Sequence, residues 1–164
     1  MGRRSDIIIS TTNGLEFGCG EASLSDDDFD TKNIVDLGLK TPKIMHDMFV
    51  QLSVAVQNRP EEVKNLQVIG LVFSRFKLRM LVMDCPKGYV CRLRCTRTEA
   101  FSGREEFLGE EFNQVYSLIW RAKEICKETE RVIGSFKNKI TDDFADEDID
   151  RILLPDSLHS PSRN

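Results

Sequence analysis

The order of patterns along the chain predicts an α/β protein, a mixed sheet flanked by two helices. Three observations carry this. Short β-branched or apolar runs of strand length occur at Ile7–Ile9 and Leu66–Phe73. Two longer stretches, beginning at Thr41 and at Arg104, repeat apolar residues at helical spacing. Between them, Phe76–Asp84 and Tyr89–Thr98 flank the turn-forming Cys85-Pro86-Lys87-Gly88 and read as a hairpin.

The first strand continues from Ile7-Ile8-Ile9 into Ser10-Thr11-Thr12 and meets Asn13-Gly14, a strong tight-turn signal. Leu15 to Ala22 then returns as a second strand, where Gly18 and Gly20 mark a bulge or a close backbone approach. Ser23 to Thr31 is polar and acidic and reads as a loop. At Thr41-Pro42 a helix opens, with threonine suited to cap it and proline suited to its first position. Met45, Met48, Phe49, Leu52, Ala55 and Val56 form one apolar face, and Asn58-Arg59-Pro60 ends the helix. This face is expected to pack on Val68, Leu71 and Phe73 of the following strand, whose continuous apolar character fits burial on both sides.

In the hairpin, a four-residue loop sets Asp84 opposite Tyr89. Phe76, Leu78, Met80 and Val82 then share a face with Tyr89, Cys91, Leu93 and Cys95, and Lys77, Arg79, Arg92 and Arg94 share the other. The second helical pattern runs from Arg104 to about Asn138. Its core stripe is Leu108, Phe112, Val115, Ile119, Cys126, Ile133 and Phe136, widened by Tyr116 and Trp120. The reading is one α/β domain over residues 1–138 and an acidic, disordered tail over residues 139–164.

At 164 residues the chain can bury a core without staples, and 40% hydrophobic with 30% charged residues is ordinary for a globular protein. The net charge of -4 is segregated: acids cluster at Asp26–Asp30 and Asp142–Asp150, bases from Arg75 to Arg97. No run approaches a membrane span, and Ile7–Ile9 is too short for a signal-peptide core, so a cytoplasmic or nuclear location without membrane attachment is expected. Five cysteines in such a setting do not read as a disulfide framework. Cys91 and Cys95, four apart on a strand, would stand roughly 13 Å apart, too far to share one ion. The cysteines are expected to be small buried hydrophobes.

Acids stand at Asp6, where the first strand begins, and at Glu21, where the second ends. A helix from Pro42 and the strand Leu66–Phe73 follow. In this order the segment from Ser5 to Thr98 resembles the PD-(D/E)XK nuclease-like fold, in an incomplete form. Val68-Ile69-Gly70-Leu71 followed by Phe76-Lys77-Leu78-Arg79-Met80-Leu81-Val82 is also similar to related fungal proteins of unknown function. The resemblance implies that Asp6 and Glu21 hold Mg²⁺, with a lysine orienting or activating a water. The ion would lower that water's pKa and stabilise charge on a phosphodiester. An active form would be a Mg-dependent endonuclease.

The sequence departs from the family pattern. Ser23 stands where the lysine of Glu-x-Lys belongs, no proline precedes Asp6, and the family's opening helix and strand have no counterpart before it. Lys32, Lys40 and Lys43 are the candidates for a displaced ammonium, and Lys43, in the first helical turn, is the choice on geometry. The resulting expectation is weak or lost phosphodiesterase activity in a protein associated with nucleic acid, whose phosphates Lys77, Arg79, Arg92 and Arg94 would contact. The rival expectation is a non-catalytic interaction module that binds a protein partner through the long helix and the basic face.

Overall fold

The computed structural model describes residues 5–12, 14–23, 35–88, 90–142 and 154. The fold is α/β with a mixed six-stranded sheet. Strands β1 (Ile7–Ser10), β2 (Glu16–Ser23), β3 (Gln67–Ser74), β4 (Lys77–Asp84) and β5 (Arg92–Cys95) lie side by side in sequence order, and the short β6 (Glu99–Ala100) also pairs with β4. All pairs are antiparallel except β2–β3, which is parallel. A parallel pair needs a long crossover. Helix α1 (Thr41–Ala55) and the short turn α2 (Pro60–Val63) provide it. Helix α3 (Leu108–Asp142) follows the sheet.

Strand alternation sorts the core into two layers. Val68 and Val72 of β3 and Leu81 and Met83 of β4 face α1, joining Phe17, Cys19, Met45, Met48, Phe49 and Leu52. Ile69 and Leu71, with Leu78, Met80 and Val82, face the other way and meet Leu118 and Ala122 of α3. The expected packing of α1 on Val68 therefore holds, but Leu71 and Phe73 belong to the opposite layer. Neighbours in a strand point to opposite faces, so these three residues cannot all meet one helix.

Gly70 sits directly beneath α1. A Cβ there would come within 2.7 Å of Met45 Sδ and of Thr41 Cγ2, so glycine is what lets the helix approach this closely. Helix α3 reaches both layers. Its middle covers the second one, and Ile133 and Phe136 join the first. Thr129 fastens it to β3, its Oγ1 receiving the Gln67 amide at 3.1 Å and donating to the Gln67 carbonyl at 2.9 Å.

The β4–β5 register differs from the expected one. Asp84 lies opposite Arg92, not Tyr89, and Leu81 lies opposite Cys95. The connection is longer than four residues, and the shift of three is odd, so it turns every β5 side chain to the other face. Lys77 and Arg79 face α1, whereas Arg92 and Arg94 share the α3 face with Asp84. The Asp84 carboxylate rationalises this register. It accepts two hydrogen bonds from Arg92, at 2.9 and 2.8 Å, and one from Arg94 at 2.9 Å. The four cations do not form one basic face.

The α3 stripe also differs from expectation. Val115, Cys126, Ile133 and Phe136 do pack against the core clusters. Leu108 (53% exposed), Phe112 (57%), Tyr116 (51%), Ile119 (44%) and Trp120 (48%) do not. The helix continues to Asp142, beyond the expected end of the domain, and Leu154 is half-buried against the first cluster. The rest of the expected tail, the acidic loop from Leu24 to Thr31 and the turn residue Asn13 lie outside the described residues.

Candidate functional site

In a parallel β-α-β unit the first strand ends where the helix begins, so the end of β2, the end of β3 and the start of α1 converge. Glu21 stands there. Its β3 neighbour is Val72, whose own β4 neighbour is Arg79, and paired residues share a face. Glu21, Val72 and Arg79 thus form a row across the α1 side of the sheet. Ser23, Ser74 and Lys77 form the next row towards the strand ends.

Glu21 is buried, at 1% exposure. An isolated carboxylate there would be costly, so it needs a partner. Lys40 is that partner, its ammonium bonded to Oε2 of Glu21. Lys40 closes a π-helical turn, Asp36–Lys40, that runs straight into α1. Such turns insert a residue into the helical phase and recur at functional sites. The expected cap at Thr41 is absent, because the preceding turn leaves no free helix start to cap. Thr41 is fully buried and its Oγ1 has no hydrogen-bond partner.

Oε1 of Glu21 is also buried without a hydrogen-bond partner. Buried acceptors are rarely left so. Asp6 stands one residue before the first paired position of β1, where Ile7 faces Gly20. Its Oδ2 accepts the Ala22 amide at 2.9 Å, which brings this carboxyl to the end of β2 that carries Glu21. Ser5 braces the corner by donating to the Gly20 carbonyl at 2.8 Å. Beneath Glu21 on the same face lies Cys19, whose thiol is pushed up to about 12, first by burial and then by the charges of Glu21 and Glu16. It stays a neutral thiol.

Of the expected site residues, Asp6 and Glu21 come to one end of the β1–β2 pair. Lys43 lies in the first turn of α1, but Lys40 is the lysine that holds Glu21. Lys77 and Arg79 fall on the face and strand-end that carry Glu21, and Arg79 donates through Nε to Thr98 Oγ1 at 2.9 Å. Arg92 and Arg94 are on the opposite face, engaged with Asp84. Among the described residues no group of three or more His, Cys, Asp or Glu side chains is arranged to hold a metal ion. No described helix is long and apolar enough to cross a membrane. Sequence spacing alone could not choose among the lysines. The choice depends on the π turn, which has no spacing signature, although Lys40 directly precedes the Thr41-Pro42 helix start.

Comparisons with protein-family models, with curated proteins and with solved structures found no match for this chain.

Proposed function

We propose that the corner formed by Asp6, Glu21 and Lys40 is a reduced nuclease-like site that engages the phosphate backbone of nucleic acid, with weak or lost metal-dependent hydrolysis. The observation that carries this reading is the state of Glu21. It is a buried carboxylate with one oxygen on a lysine and the other on nothing. An orphaned carboxylate oxygen at the strand end that also carries Asp6 offers hard oxygen donors, which suit Mg²⁺. Asp6 and Glu21 would hold the ion, which when bound would polarise a phosphoryl oxygen and acidify a water.

The chain's own residues have separate tasks. Glu21 fixes the Lys40 ammonium at the strand end, so this cation would take the part of the lysine whose position Ser23 occupies. Lys77 and Arg79, on the same face, would meet phosphate oxygens. Only two acids serve the ion, and Lys40 is tied to one of them, so hydrolysis is expected to be slow or absent.

The test is a titration with MgCl₂ or MnCl₂ followed by calorimetry, on the wild type, Asp6→Ala and Glu21→Gln. Binding by the wild type and loss in both variants supports the ion site, provided each variant keeps its circular dichroism. Unchanged affinity in both folded variants ends that reading. Nucleic-acid binding is read separately, from affinity against salt. For every phosphate no longer neutralised, the log–log slope should fall in magnitude by about 0.7–0.9. Replacing Lys77 and Arg79 by Ala should do this, and replacing Arg92 and Arg94 should not. No binding at low salt would overturn the nucleic-acid part.

A further inference from the structure

The exposed side of α3 is organised. Leu108, Phe112, Tyr116 and Trp120 follow one another at intervals of four, and Ile119 lies beside them. Residues at this spacing form a strip along one side of a helix. The rings are ordered against each other. Phe112 and Tyr116 stack with centroids 6.2 Å apart and planes 16° from parallel, and Tyr116 and Trp120 follow at 6.1 Å. Lys123 completes the ladder, its ammonium 4.7 Å from the Trp120 ring centre. Below it, Ile119 and Lys123 border a cavity of about 350 Å³ between α3 and the first strands, lined mainly by apolar atoms.

Five such side chains, each about half exposed, present roughly 500 Å² of apolar surface. That is near the upper end of what a monomer carries. It is more than half of the roughly 800 Å² per partner that a stable interface buries.

Charge along the strip selects the occupant. Before its apolar part stand Arg104, Glu105 and Glu106, and Glu110 and Glu111 lie in the first turn of α3. After it stand Lys123, Glu124 and Lys127, all exposed, with Lys127 Nζ 3.4 Å from Glu124 Oε1. Both signs occur at each end, and they complement one another when one copy is reversed. With the twofold axis between Phe112 and Tyr116, Leu108 meets Trp120 of the other copy, Phe112 meets Tyr116, Glu105 meets Lys123, and Arg104 meets Glu124. Apolar residues then face apolar ones, and the charges that meet are opposite. Such an isologous contact is the commonest form of homo-oligomer. Stacking on a single nucleic-acid strand would use the same rings, but Glu105, Glu106, Glu110 and Glu111 beside them would repel its phosphates.

We propose that this chain forms a homodimer through antiparallel pairing of the outer faces of two α3 helices. The dimer lies on the far side of α3 from the sheet and does not depend on the reading of the Glu21 corner.

The test is sedimentation equilibrium of the full chain across concentration, at low and moderate salt. The wild type should be a dimer at tens of micromolar. Phe112→Asp should raise the dissociation constant at least about 30-fold, as loss of a central anchor does, with an unchanged melting curve in its monomeric form. Two charge reversals make the test specific to the pairing. Glu105→Lys and Lys123→Glu should each weaken the dimer, and the double variant should regain most of the loss. A wild type that stays monomeric would overturn the proposal, whatever else then covers the strip. So would a dimer indifferent to Phe112→Asp, or a double variant weaker than both single ones.

Discussion

Helix α1 buries Met45, Phe49 and Leu52 completely, whereas α3 leaves Phe112, Tyr116 and Trp120 about half exposed. Both stripes have the same helical period. They differ in what lies beneath. Helix α1 is the crossover between two parallel strands and rests on Gly70, and its apolar face packs with Phe17, Cys19, Val68, Val72, Leu81 and Met83 of the sheet. Helix α3 is 35 residues long, about 52 Å at the usual rise, and the sheet cannot cover all of it. It turns its narrow line of Leu118, Ala122, Thr129, Ile133 and Phe136 inward and leaves the aromatic strip outside. Periodicity reports that a helix has an apolar side. It does not report which surface covers that side.

The largest effect should come from the buried stripe. Phe49→Ala should cost roughly 3–5 kcal/mol in a denaturant melt, the usual consequence of emptying an aromatic core site. A loss below about 1 kcal/mol would contradict complete burial of that ring.

Next comes the charged pair embedded in the same layer. Lys40→Met leaves the Glu21 carboxylate buried without its cation, and should cost about 3 kcal/mol at neutral pH. Adding Glu21→Gln to that variant should restore part of the loss. If the single change has no effect, Lys40 does not neutralise Glu21 in solution.

The smallest effect belongs to the strip on α3. Phe112→Ala should change the stability of the monomer by no more than about 0.5 kcal/mol, as a surface change does. A loss near that of Phe49→Ala would place the ring in a core and erase the contrast between the helices. Cys19 offers a chemical check on the same contrast. With its thiol pushed up to about 12 by burial, it should resist alkylation at pH 8 in the folded protein and react only on unfolding. Mass mapping of the adducts would show this.

Much of the architecture was legible because it rests on local rules. Ile7–Ile9, the α1 face and the β3 run all became the elements their patterns predict. What the sequence hid depends on contacts between distant residues. The β5 register is tied to Asp84, which draws Arg92 and Arg94 to its own face, and an alternating Arg-Leu-Arg-Cys segment is compatible with either phase. For the same reason the four cations looked like one patch and are two. At the Glu21 corner, both acids could be placed at strand ends from the order of elements. The lysine could not, because a π turn sets its direction. By period alone the outer strip of α3 reads as core, since nothing in a single helix records the width of the sheet it lies on.

The parallel ladder between β2 and β3 also governs the order in which this molecule can assemble. The β1–β2 and β3–β4 hairpins join neighbours in the chain, and each can close early. Glu21 and Val72 are about fifty residues apart, and such distant pairings carry the entropic cost that slows folding. Each half of the Glu21 corner can therefore exist before the other arrives, but Glu21 gains its buried setting only when the crossover closes. Val72→Ala should then slow refolding in a stopped-flow chevron, while Ile7→Ala, on the edge strand, should mainly speed unfolding. The reverse pattern would show that the ladder forms after the rate-limiting barrier.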